Sequence, residues 1–449
     1  MSIKNKARSL YSMEEYEMAI PLYESLIALE PDSIRNYREI GNCYRWLKQH
    51  EKAIHYYRKC LRIDPSNADA FYNLGSSYFE ILMYDSAIYF AHRLIDQNPQ
   101  DTEALNLISM VFLESVDNAD SAIFYAQKGI ASDPGDSFSY VNLSMAYTSE
   151  KKYDLAQDAA QKGIEQDPSA MHLHLLSGIA YYATGEYILA RQQFQTGWET
   201  PGFEELFADY YAKSIIIENT DPDLFSNMNE RISFKNIRSE NLDDIIAEAG
   251  KADSRYYYPT LLRKFRNNPY DMSLDDFILL YIGYSTDISY SPFTLETNSI
   301  LELWDSEQYS EFEKEAYELC LKVPVHFPMY YYISEVNRLN HNYDQQLANL
   351  VAFYGFSMSI LATGDGSNRE NAIIIGFVEH ELFTMSTLGF SVTDQELIRG
   401  KYTYDLLTGR SEDIEEVQKY FNISMHYSSM NDEFLKSKMN KKRRKKNIP

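Results

Sequence analysis

Arg35, Arg38 and Arg45 recur at helical spacing, with Asn42 among them, so their side chains share one side of a helix. Guanidinium groups in a row suit carboxylates, which they grip through paired N–H donors. The chain as a whole carries a formal net charge of −24. In that setting an arginine cluster has two readings: it is held by local carboxylates such as Glu39 and Glu51, or it is kept for an anionic ligand. Further along, the same helical positions hold Tyr72, Asn73, Ser76 and Phe79, then Asn106, Met110 and Leu113. They continue with Phe138, Val141, Asn142 and Met145, and with His172, Leu175, Ile179 and Tyr182. A cationic, polar start thus passes into an apolar lining. That pattern suits a polypeptide whose acidic or C-terminal carboxylate end meets the arginines and whose apolar side chains follow.

No catalytic constellation accompanies it. Glu379-His380-Glu381 lacks the second histidine one helical turn away that a zinc protease needs, and its surroundings predict a strand. Gly355-Phe-Ser-Met-Ser359 lacks the second glycine of a nucleophile elbow. The glycines flanking Asp365 have no lysine at phosphate-loop spacing, so a tight turn is expected there. The nine histidines form no ligand cluster, and His172 and His174 point to different faces of a helix. Cys320 lies in an apolar helical stripe and reads as core. The runs Tyr256–Tyr258 and Tyr330–Tyr332 read as core and interface rather than a stacking platform. Catalytic residues, metal ligands and cofactors are therefore not expected.

The elements that must position the recognition residues announce themselves through proline. Pro31, Pro65, Pro99, Pro134, Pro168 and Pro201 stand 34, 34, 35, 34 and 33 residues apart. Two helices and two turns consume that length, which predicts a stacked helical solenoid. Each unit places a small residue in its first helix (Gly41, Gly75, Ser109, Ser144, Gly178) and an alanine in its second (Ala53, Ala87, Ala122, Ala156, Ala190). These allow close helix approach, and the proline ends the second helix. Ala7 is the small residue of the first unit, and the fourth unit gains a residue near Asp117-Asn118, predicting a longer turn.

With Tyr37, Ile40, Tyr44, Tyr57, Leu74, Tyr78, Leu143 and Tyr147 in the same register, residues 1–201 resemble the tetratricopeptide repeat. The resemblance implies six helix-turn-helix units whose first helices line a concave, polypeptide-binding face. It also implies a comparison with the two-carboxylate clamp by which some such domains hold acidic chaperone tails. Arg38, Asn42 and Asn73 match part of that clamp, but Glu103 and Leu107 stand where it needs cations.

Past Pro201 the period stops. Phe203–Asn219 predicts a helix that seals the last repeat, Asp221-Pro222 predicts the start of a short helix to Ile232, and Ser233–Ser239 a polar joint. From about Glu240 the pattern predicts helices at Leu242–Ala249, Tyr257–Arg266, Leu274–Tyr284, Leu295–Trp304, Phe312–Val323, Met329–Leu339 and Gln346–Ile360. A turn at Thr363–Gly366 follows. Ala372–Val378, Leu382–Leu388 and Tyr402–Leu407, extended by Tyr420–Ile423, predict a small antiparallel sheet. Tyr258-Pro-Thr-Leu-Leu-Arg263, Leu280-Tyr-Ile-Gly-Tyr284 and Gly364-Asp-Gly366 resemble a bacterial domain family of unknown function, DUF4919, over about 240–425. That resemblance implies a shape and a bacterial source, with many exported relatives, and brings no established activity.

The expected organisation is mainly α: six repeats over 1–201, a capping helix and linker over 202–239, a helical domain with a small sheet over 240–430, and a basic tail over 431–449. Lys436 to Lys446 holds eight basic residues and no acidic one, so the body is more acidic than the whole. Such a body repels phosphate backbones, which argues against nucleic acid as the main ligand. Three cysteines give no disulfide framework, and Cys43 and Cys60 read as small buried apolar groups. The opening shows no secretory signal. The longest apolar stretch, Leu347–Ala362, is short for a membrane span and reads as a buried helix. A cytoplasmic location is expected, with the periplasm as the alternative. The functional expectation is a non-catalytic adaptor; the rival is an enzyme in the 240–425 domain, to which the repeats bring substrate. Titratable side chains converging in a deep pocket of that domain would favour the rival.

Overall fold

The computed structural model describes residues 2–115, 118–220, 237, 241–287, 290, 297–411 and 413–425. The expected helix at 221–232, the joint at 233–239 apart from Ile237, and the basic tail lie outside the described residues, as does Asp117 of the expected longer turn. The chain forms two compact units, Met1–Thr184 and Gly185–Pro449.

The first unit is a stack of helical hairpins. The helices are α1 (Ile3–Ser12), α2 (Tyr16–Leu29), α3 (Ile34–Trp46), α4 (His50–Ile63), α5 (Ala68–Glu80), α6 (Tyr84–Gln97), α7 (Thr102–Glu114), α8 (Ala119–Ser132), α9 (Ser137–Ser149), α10 (Tyr153–Gln166) and α11 (Met171–Thr184). Each packs on the next, and α5 with α7, α7 with α9 and α9 with α11 also touch, so the first helices form one continuous face. Asn67, Asp101 and Asp136 cap α5, α7 and α9 by accepting from the backbone N–H three residues on.

In four of the hairpins the turn has one geometry. Glu14, Lys48, Leu82 and Lys151 adopt positive φ between 55° and 61°, a left-handed turn that shuts off the first helix. The next N–H then reaches back to close it: Gln49 to the Tyr44 carbonyl at 2.8 Å, Met83 to Tyr78 at 2.9 Å, Lys152 to Tyr147 at 2.8 Å. Ala19, Ala53, Ala87 and Ala156 follow the turn at a fixed offset, and all are fully buried. A Cβ on Gly163 would lie 2.7 Å from the Tyr140 Cβ, so the close approach there requires glycine.

The second unit holds α12 (Tyr187–Trp198), α13 (Glu204–Glu218), α14 (Leu242–Ala249), α15 (Tyr258–Asn267), α16 (Leu274–Gly283), α17 (Thr297–Asp305), α18 (Tyr309–Lys322), α19 (Phe327–Leu339), α20 (Tyr343–Ala362) and α21 (Val378–Thr387). It repeats the hairpin geometry where no repeat was expected. Glu307 (φ 58°) and His341 (φ 56°) sit 34 residues apart at the α17–α18 and α19–α20 turns. Gln308 N–H reaches the Leu303 carbonyl at 2.9 Å, and Asn342 reaches Asn337 at 2.8 Å. Pro324 follows Glu307 at the offset by which Pro65 follows Lys48. Within this unit contacts run from α12 to α13, α13 to α20, α20 to α19, α19 to α18 and α18 to α17, so its own helices form a stack in which chain order reverses after α13.

The sheet comprises β1 (Ile373–Ile374), β2 (Ser391–Arg399), β3 (Thr403–Arg410) and β4 (Val417–Asn422), in the order β1-β4-β3-β2. Two expectations are corrected here. Leu382–Leu388 is not a strand but most of α21, where Thr384 Oγ1 donates back to the His380 carbonyl at 2.6 Å in helical fashion. The sheet is mixed rather than antiparallel, because β1 runs parallel to β4. The Gly364–Gly366 turn is pinned to the sheet edge: Tyr420 N–H donates to the Gly366 carbonyl at 2.9 Å and Lys419 Nζ to the Asp365 carbonyl at 2.9 Å. Around α16 and α20 the aromatics Phe265, Phe277, Tyr281, Tyr330 and Phe356 pack as the core, mostly edge-on, with Tyr330 stacked on Phe356. Among the described residues no helix is long and apolar enough to cross a membrane.

Candidate functional site

The first-helix face of the repeats gathers the residues singled out in sequence, and the structure divides them into tied and open groups. In α3, Arg38 donates to Asp69 at the start of α5 and lies 3.6 Å from Glu39. Arg35 Nε is 3.7 Å from Glu39, and its side chain remains 52% exposed. The local carboxylate partners are therefore Glu39 and Asp69; Glu51 makes no ion pair among the described residues. Arg45 stacks over Trp46, 5.1 Å from the ring centroid. Asn42 Oδ1 accepts from the buried Tyr57 hydroxyl at 2.8 Å, which fixes α3 on α4.

Tyr72 and Phe79 are partly buried and Asn73 is buried. Burial and the nearby Glu103 raise the Tyr72 phenol above its ordinary range. Asn106 and Asn142 meet: the Asn142 amide donates to the Asn106 carbonyl and side-chain oxygens at 3.3 Å. Asn106 Nδ2 also donates to Asp136 at 2.7 Å, and Ser139 Oγ to Asn106 Oδ1 at 2.8 Å. This polar floor ties α7 to α9. The apolar residues beside it are open: Phe138 is 68% exposed, and Met110 and Met145 are each 38% exposed. Leu175 and Ile179 are half-buried on α11. The remaining clamp-type positions lack clamp chemistry, since Leu107 is buried and Glu103 is an exposed carboxylate.

Sequence reasoning missed Asp69 as the partner of Arg38, because the two are 31 residues apart in different units. The shared repeat position of Asp69, Arg35, Glu103 and Phe138 was the available signal. It also missed a buried polar network in the second unit. The Tyr281 hydroxyl accepts from the Gly376 N–H at 2.9 Å and is hydrogen-bonded to His380 Nδ1 at 2.8 Å. His326 stands edge-on to His380, 5.0 Å between ring centroids, with Nε2 3.6 Å from Glu379. Thr297 Oγ1 donates to the same carboxylate at 3.0 Å. Glu381, buried beside Asp405, is held well above the ordinary carboxyl range by burial and then by that neighbouring charge.

The three thiols are buried. Burial, with the nearby Glu39, pushes Cys43 up to about 12, and burial pushes Cys60 to about 11 and Cys320 to about 12, all unfavourable to a nucleophilic thiolate. Among the described residues no group of three His, Cys, Asp or Glu side chains could hold a metal ion.

Comparison with known families agrees with the geometry. Residues 36–67, 69–101 and 144–197 each match the tetratricopeptide repeat, so these segments are tetratricopeptide repeats, which support the general character of a protein-interaction scaffold. Residues 243–431 match a domain of unknown function, DUF4919. Among curated proteins none matches. Similar solved structures include a tetratricopeptide repeat protein from Parabacteroides merdae, 15% identical, covering 47% of this chain and 89% of that one at a TM-score of 0.39. A thermophilic repeat protein of Thermus thermophilus is 13% identical and covers 41% of this chain and 100% of that one, at 0.37. YrrB, described as a TPR protein with an unusual peptide-binding site, is 25% identical and covers 38% and 87%, at 0.31.

Proposed function

We propose that the chain is a non-catalytic adaptor that holds a partner polypeptide against the first-helix face of its repeats. The observation that carries this reading is the register of Met110 and Met145, one repeat apart, with Phe138 beside them, all large, apolar and open to solvent. Single exposed apolar residues are ordinary, but a row of them along one face marks a contact surface. The partner's apolar side chains lie over these three and reach Leu175 and Ile179. Its acidic or C-terminal carboxylate end lies by Arg35, Arg38 and Arg45, where Arg35 is the most accessible cation. A handful of such contacts corresponds to micromolar affinity, about −8 kcal/mol. The bacterial cytoplasm is the proposed location, in keeping with three buried free thiols.

A second reading, catalysis in the DUF4919 unit, draws on the convergence of Tyr281, His326, Glu379 and His380. Three of these are almost fully buried, which favours a structural tie holding α21 to the core. Capture of partners from bacterial lysate on the full chain, followed by Arg38→Glu, tests the adaptor reading. Binding that weakens about tenfold supports it. Unchanged affinity in a folded variant removes the arginines from the site.

A further inference from the structure

We infer that the polypeptide held on the first-helix face carries a lysine or arginine that docks against Glu103, immediately beside an apolar side chain seated on Phe138. The inference rests on the adaptor reading and adds the chemistry of its partner. Counting six residues back from the small residue of each first helix gives Arg35, Asp69, Glu103, Phe138 and His172, one position repeated along the face. Along that row the charge changes from positive to negative and then gives way to an exposed phenylalanine.

The carboxylates in and next to this row differ in what they already hold. Asp69 takes the Arg38 guanidinium. Asp136 is occupied by the Asn106 amide at 2.7 Å and the Ser139 hydroxyl at 2.6 Å, and Asp101 caps α7. Glu103 stands one repeat on from Asp69 and two residues after Asp101, and the charges that act on it most are the carboxylates of Asp101, Asp69 and Asp136. Partial desolvation of this exposed side chain, and then Asp101, Asp69 and Asp136, raise its carboxyl above the ordinary range. A cation arriving there relieves like-charge repulsion that the fold leaves in place, whereas a carboxylate would add to it. The same feature separates this face from the two-carboxylate clamp, which needs a cation at the Glu103 position. The apolar surface gives contact area; the charge beside it selects the partner.

The test uses the full chain and two fluorescein-labelled probes of equal length, a lysine–leucine amphipathic peptide and its glutamate–leucine counterpart, read by anisotropy. The lysine peptide should bind, more weakly as salt rises, and the glutamate peptide should bind at least about tenfold more weakly. Glu103→Gln should weaken the lysine peptide about threefold to tenfold. Phe138→Ala should weaken it while leaving its salt dependence unchanged. Glu165→Gln, an exposed carboxylate on a second helix, should leave it unaltered. Equal loss from Glu165→Gln would assign binding to overall negative charge and overturn the inference. Preference for the glutamate peptide would overturn it while sparing the adaptor reading. Binding of neither peptide would count against both. A dimer, seen by light scattering, that Glu103→Gln dissolves would make a second copy the occupant and also overturn it.

Discussion

The Arg38 guanidinium of one repeat is held by Asp69 of the next, so the cation best placed to meet a carboxylate already has one. The pair spans two stacked first helices, and its members are 33% and 57% exposed. An ion pair that open contributes only about 0–1 kcal/mol. Asp69→Asn should therefore leave the thermal midpoint nearly unchanged while freeing Arg38. Affinity for a captured partner with a carboxylate end should rise several-fold, measured by titration at low salt; a fall in affinity would show that Asp69 itself contacts the partner.

Close approach between α9, α10 and α11 depends on Gly163. A methyl group there meets the Tyr140 Cβ at 2.7 Å and the Leu173 side chain at 2.5 Å. Gly163→Ala should cost about 1–3 kcal/mol through overpacking, seen as a lower midpoint in chemical denaturation followed by helix circular dichroism. No loss would mean that the repeats stack more loosely than these distances state.

The first unit was largely legible because its signals are local and periodic: proline, a small residue and a buried alanine recur at fixed offsets. The α17–α20 hairpins share the turn geometry but not those residues. Phe312 and Gln346 stand where Ala53 and Ala87 stand, and Ile300 replaces the small residue of the first helix. Only Pro324 and Ser334 keep the pattern, too little to declare a period. Strand β2 escaped notice because it is an edge strand, almost wholly exposed, whose partner is β3 on one side. It therefore has no apolar alternation to display. The α21 segment misled in the opposite sense, since Leu382, Phe383 and Met385 make a short apolar run and its threonines favour strands. Of the candidate site, the residues could be named from spacing, but their partners could not. Asp69, Asp136 and Ser139 reach the face only through stacking of separate repeats.

The tie between Tyr281 and His380 joins α16 to α21 through a phenol that also accepts from Gly376. Tyr281→Phe keeps the packing and removes both bonds, leaving a buried N–H without its acceptor. The expected cost is about 1–3 kcal/mol, with faster hydrogen exchange at Gly376 and along α21. Unaltered exchange there would show that aromatic packing alone holds the helix.

Glu381 and Asp405 give the second unit a pH dependence of definite sign. Burial, and then Asp405, raise the Glu381 carboxyl above its ordinary 4.5 in the folded state. The folded state therefore keeps a proton that the unfolded chain releases. Its stabilising effect is complete below pH 4.5 and is lost as pH rises towards the higher folded value. Protection of α21 and β3 amides should decline across that window, and Glu381→Gln, which keeps the neutral form, should flatten the profile. A profile that Glu381→Gln leaves unchanged would assign the dependence to another group.

The central claim is that the first-helix face of the repeats is where a partner polypeptide binds. Phe138 tests it most directly, because at 68% exposure it is the most open apolar residue of that face and lies outside the buried core. With a partner captured from lysate and purified, its affinity for the full chain is measured against Phe138→Glu, with helix content checked by circular dichroism. The account predicts a loss of tenfold or more, about 1.4 kcal/mol or above, in a protein that folds and melts as before. Unchanged affinity in that folded variant would contradict it and place the binding surface elsewhere on the chain.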